Sequence, residues 1–101
     1  MIKNTNLKEL INRCNKYELL TQKALKKAKI CIPKESSLYP IAKDFIDMST
    51  RYLEDGRYYK QKGKWDIALA SFSYAHAWLD CSARLGLIDV KKDYKLFTLY
   101  K

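Results

Sequence analysis

Trp65-Asp66-Ile67-Ala68-Leu69-Ala70-Ser71-Phe72-Ser73-Tyr74-Ala75-His76-Ala77-Trp78-Leu79-Asp80 is the stretch on which the fold turns. Between its two aspartates no residue carries a formal charge, and the apolar positions follow no period of two. The run is therefore a helix, apolar nearly all round, and such a helix is expected to be buried nearly all round. Gly63 and Gly86 bracket it. Gly63 stops the preceding helix, and Asp66 places a carboxylate in the new first turn, where it complements the positive end of the helix dipole. Gly86 is read as a left-handed C-cap, with Leu87 placed for the apolar contact of a Schellman motif. The uncharged run from Ile67 to Leu79 is shorter than the roughly 20 apolar residues that cross a bilayer, so no membrane association is expected.

Working back from Gly63, a second helix is expected over residues 37–62, with Pro40 tolerated in its first turn. Its apolar stripe is Leu38, Ile41, Phe45, Met48, Tyr52 and Tyr59, and beside it Ala42, Ser49 and Gly56 repeat every seven residues. A glycine inside a helix costs about 1 kcal/mol relative to alanine, so Gly56 implies close approach of a neighbouring helix. Asp47, Arg51 and Asp55, four apart, form a surface charge ladder. Before the loop holding Pro33 and Pro40, a first helix is expected over residues 6–30. An Asn6–Glu9 capping box would start it. Leu7, Cys14, Thr21 and Ala28 recur every seven residues, as do Leu10, Tyr17, Ala24 and Cys31. Residues 87–101 are too short for a fourth long helix. Tyr94, Leu96, Phe97, Leu99 and Tyr100 are nonetheless too apolar for a free tail, so the segment is expected to pack back on the bundle. The fold class is all α, a single domain over residues 1–101: a three-helix antiparallel bundle with a packed C-terminal tail.

The 101 residues leave no room for a second core. Cys14, Cys31 and Cys81 are odd in number and far apart, which excludes a disulfide framework, and all three are read as small buried apolar residues in a reducing compartment. Without an apolar run behind Lys3 there is no secretory signal, and a cytoplasmic protein is expected. The formal net charge is +9, and residues 1–36 carry nine basic and three acidic side chains, or +6 of it. This balance attracts polyanions without specifying a fold.

Tyr74-Ala75-His76-Ala77-Trp78-Leu79-Asp80, followed by Arg84-Leu85-Gly86-Leu87 and closing on Leu96-Phe97-Thr98, resembles the archaeal family catalogued as domain of unknown function 357. The resemblance implies a small archaeal helical protein with no established activity and no catalytic residues to carry over. The last two helices also resemble a single tetratricopeptide-type hairpin, with Gly56, Tyr59, Gly63, Ala68, Phe72 and Ala75 at that repeat's small and aromatic positions.

Three clusters are candidate sites. His76, Asp80 and Arg84 stand four apart on one helix face, an arrangement a general base would use, but no serine or cysteine lies in a nucleophile elbow, so they are read as a polar strip that satisfies His76. Lys16, Lys23, Lys26, Lys27 and Lys29 form a basic face on the first helix, a candidate polyanion site that lacks interleaved aromatic residues. Tyr58, Trp65, Tyr74 and Trp78 are candidate interface residues, because the tail is too short to cover the whole uncharged helix. No facing Glu-x-x-His pairs and no phosphate-binding glycine loop occur, so catalytic residues, metal and cofactor are all expected to be absent. The expectation is a non-enzymatic interaction or scaffold module, self-associating as a dimer or meeting a protein partner. Nucleic-acid binding through the basic face is the alternative.

Overall fold

The computed structural model describes residues 4–91 together with Asp93 and Phe97. Three helices make the bundle: α1 (Asn4–Lys27), α2 (Tyr39–Gln61) and α3 (Trp65–Arg84). Two short strands, β1 (Lys29–Ile30) and β2 (Ile88–Asp89), follow α1 and α3. Consecutive helices run antiparallel, so α1 and α3 run the same way and the chain leaves both at the same end. There the two exits pair antiparallel, Lys29 opposite Asp89 and Ile30 opposite Ile88. The Cys31 amide extends the pairing by donating to the Leu87 carbonyl at 3.0 Å.

This pairing corrects the expected course of the first helix, which ends at Lys27 instead of residue 30. Ile30 packs against the cluster formed by Ala24, Leu79, Ile88, Val90 and Phe97. Cys31 is consequently exposed outside the helix, and Cys81 is exposed on α3; of the three thiols only Cys14 is buried. The helix also starts at Asn4, so Asn6 lies inside its first turn and no cap forms there.

Both later helices end by one device. Gly63 (φ 73°) and Gly86 (φ 75°) take the left-handed conformation that side chains disfavour. After α2 the Lys64 amide donates to the Tyr59 carbonyl at 2.9 Å, and after α3 the Leu87 amide donates to the Ser82 carbonyl at 2.9 Å. These are the six-to-one bonds of a Schellman motif, and Leu87 is buried as the motif requires. The second helix begins at Tyr39, two residues later than expected, behind a turn in which the Leu38 amide donates to Ser36 Oγ at 3.1 Å.

Helix α3 is the middle element, packed along α2 and α1, which touch each other only sparsely. The face of α2 that meets it is the small-residue seam: Ala42, Ser49 and Gly56 are buried with Leu53, whereas Leu38 and Ile41 of the anticipated stripe are exposed. A Cβ on Gly56 would stand 2.9 Å from Phe72 Cζ and closer still to two other atoms of that ring. One core cluster joins Cys14, Leu53, Ala68, Phe72 and Ala75; the other joins Ala24, Leu79, Ile88, Val90 and Phe97. The tail thus packs back through Val90 and Phe97, on the side of α3 that faces α1. The expected packing of Tyr94, Leu96, Leu99 and Tyr100 lies outside the described residues.

Candidate functional site

His76 is buried on the α1-facing side of α3, between the two apolar clusters. Its Nδ1 stands 3.2 Å from Thr21 Oγ1 and its Nε2 3.7 Å from Asp80 Oδ1. With the proton on Nε2 the ring accepts from the Thr21 hydroxyl. With the proton on Nδ1 it donates to that oxygen, freeing the hydroxyl hydrogen for the Phe72 carbonyl at 3.4 Å. Either tautomer satisfies two buried polar side chains across the α1–α3 contact. His76 and Asp80 thus lie side by side, with Arg84 exposed one turn on. Thr21, the partner on the other helix, was hidden in the first helix's apolar heptad, where a lone hydroxyl is the signal of a buried polar neighbour.

A second polar cluster joins α1 to α2 around Glu18. Its carboxylate accepts from Arg57 Nε at 2.8 Å and Lys60 Nζ at 2.5 Å, while Arg57 also donates to Gln22 Oε1 at 3.1 Å. Burial alone would raise the Glu18 carboxyl, but hydrogen bonds from Lys60 and then Arg57, with their charges, outweigh it and hold the pKa below the usual range. Burial pushes the neighbouring Cys14 thiol up, so it is a poor nucleophile. Spacing gave no hint of the cluster, because Glu18 and Gln22 of α1 meet Arg57 and Lys60 of α2 only once the helices pack.

The lysines divide. Lys16, Lys23 and Lys26 are exposed on α1, Lys27 is bound to Asp93 at 2.7 Å, and Lys29 stands on β1 instead of the helix face. Among the described residues no group of three or more His, Cys, Asp or Glu is placed to hold a metal ion, and no helix is long and apolar enough to cross a membrane.

The outer side of α3 departs most from expectation. Instead of being buried nearly all round, α3 leaves Ile67, Ala70, Ser73, Tyr74, Ala77 and Cys81 exposed, as is Leu85 just past its end, with Tyr74 at 51% and Leu85 at 66%. Two helices cover only part of its circumference, and Val90 and Phe97 lie on another side. Along this face runs an apolar groove of about 350 Å³ lined by Phe45, Tyr74, Ala77, Trp78, Cys81 and Leu85. Its floor is aromatic: Phe45 and Tyr74 meet Trp78 edge-on at centroid distances of 5.1 and 6.1 Å, and Tyr52 packs on Tyr74 at 4.6 Å. Trp78 Nε1 is buried without a hydrogen-bond partner among the described residues. Of the candidate interface residues, Tyr74 and Trp78 come together here. Trp65 is half-buried against the core, and Tyr58 is exposed on α2 beneath the Lys62 ammonium.

A family model described as "Protein of unknown function (DUF357)" matches residues 16–88, the span from the middle of α1 to β2. No curated protein and no solved structure matches the chain.

Proposed function

For a chain that belongs to the DUF357 family, whose description assigns no activity, we propose a non-enzymatic interaction module that receives a protein through the groove and outer face of α3. The observation that carries this reading is the open apolar surface: Ile67, Tyr74 and Leu85 are 42%, 51% and 66% exposed, beside a groove whose walls are apolar and aromatic. Exposed apolar surface that gathers around a groove is a common mark of a site that a partner covers. A catalytic reading finds less support. His76 is buried and committed to Thr21, and the nearest thiol with a perturbed pKa, that of Cys14, is shifted away from reactivity.

The basic face offers a second reading. Lys16, Lys23 and Lys26 are exposed along α1, and the +9 charge attracts polyanions. The aromatic residue among them, Tyr17, packs against the core instead of serving as a stacking platform.

Cys81 lies in the groove and supplies a reporter. With Cys31→Ser removing the other exposed thiol, an environment-sensitive fluorophore on Cys81 is expected to shift to the blue when the face is covered. Raising the protein concentration tests a second copy, adding other proteins of the cell tests a foreign partner, and adding RNA tests the basic-face reading. Emission unchanged by either protein source would dispose of the docking role.

A further inference from the structure

Resting on the docking role of the outer α3 face, we propose that its occupant is a second copy of this chain, bound with the two α3 helices antiparallel about a two-fold axis near Ala75. Asp66 and Arg84 stand eighteen residues apart at opposite ends of α3, which is five full turns at 3.6 residues each, so both lie along one line of the helix. The positions between them on that line, Ala70, Ser73 and Ala77, are small and exposed, with Cys81 beside them. Asp80 is the one other formal charge within this span, and it lies half-buried next to His76.

An antiparallel copy brings the second copy's Arg84 opposite Asp66 and, by symmetry, Asp66 opposite Arg84, giving two opposite-charge pairs at the ends of an uncharged seam. Ser73 faces Ala77 near the axis, small against small, so the helices approach to about 8 Å. The same operation carries the second copy's Ile67 to the mouth of the groove beside Cys81 and Leu85, twice per dimer. A parallel pairing would set Asp66 against Asp66 and Arg84 against Arg84.

Net charge selects the same occupant. Two chains of +9 repel wherever basic surfaces meet, and between Lys64 and Arg84 the chain has no lysine or arginine. The outer face of α3 is thus where two copies meet with least repulsion. An acidic partner would instead be drawn to the lysines of α1.

The test is sedimentation equilibrium over a concentration series at low salt on the full chain. The wild type is expected to dimerise. Asp66→Arg and Arg84→Asp are each expected to weaken the dimer on the order of tenfold in Kd, since each turns two pairs from attraction to repulsion. Combined, they are expected to restore it. Arg84→Asp leaves the Asp66 carboxylate in place to accept from the Ile67 amide, so its effect is separable from loss of the helix start, and circular dichroism checks the helix in every variant. A dimer that Ala77→Glu abolishes, while the double charge exchange fails to restore what either single charge variant loses, would overturn the antiparallel arrangement and leave the docking face intact. A wild type that stays monomeric would overturn the second copy as occupant, and the Cys81 reporter with other proteins then decides the docking role separately.

Discussion

Adding one methyl group at Gly56 sets two effects against each other. Alanine gains about 1 kcal/mol over glycine in a helix interior. The new Cβ, however, enters the fully buried Phe72 ring, so the ring or the helix must shift. Overpacking of this kind costs about 1–3 kcal/mol, so Gly56→Ala is expected to destabilise the protein, on the order of 1 kcal/mol net. Urea unfolding would check it: the midpoint falls with the slope unchanged, and Phe72→Leu in the same chain recovers part of the loss. Gly56 was legible in the sequence because an unfavourable residue at a seven-residue interval has a geometric cause. Cys31 and Cys81 were not, since a cysteine's burial follows from what its helix packs against, and nothing local marks one side of α3 as open.

At the scale of elements, Glu18 is a polar tie between α1 and α2. Its folded pKa lies below the ordinary value near 4.5, so the stabilisation is complete above that value and is lost as the pH falls through the folded pKa. Glu18→Gln is expected to lower stability at neutral pH by about 1 kcal/mol, intermediate between an exposed pair and a buried one. It should also flatten the acid limb of a plot of unfolding free energy against pH. An unchanged acid limb would assign that limb to other carboxylates. The helices, and the stops of α2 and α3, were readable in advance, since Gly63 and Gly86 act through their own backbone conformation and Leu87 follows in register. The strands were not readable, because two residues carry no period. Lys29 and Ile30 continue the α1 pattern until Ile88, far along the chain, offers Ile30 a better contact. For α3 an uncharged composition was read as burial, and composition does not distinguish a covered face from an open one.

For the molecule as a whole, the sparse contact between α1 and α2 leaves α1 dependent on α3 and on the Glu18 cluster, whereas α2 and α3 interlock along their length. Native-state hydrogen exchange is expected to grade accordingly, with the greatest protection at the centre of α3 and the least in the first turns of α1. Equal protection throughout would mean that the three helices open as one unit. The β1–β2 ladder joins Ile30 to Ile88 across 58 residues of chain. Closing a loop of that size costs entropy that two residue pairs do not repay by themselves. The ladder therefore has no independent existence early in folding. It forms once α1 and α3 have docked side by side and delivered both exits to the same end, which makes it a latch recording that the slowest, least local step of assembly is complete.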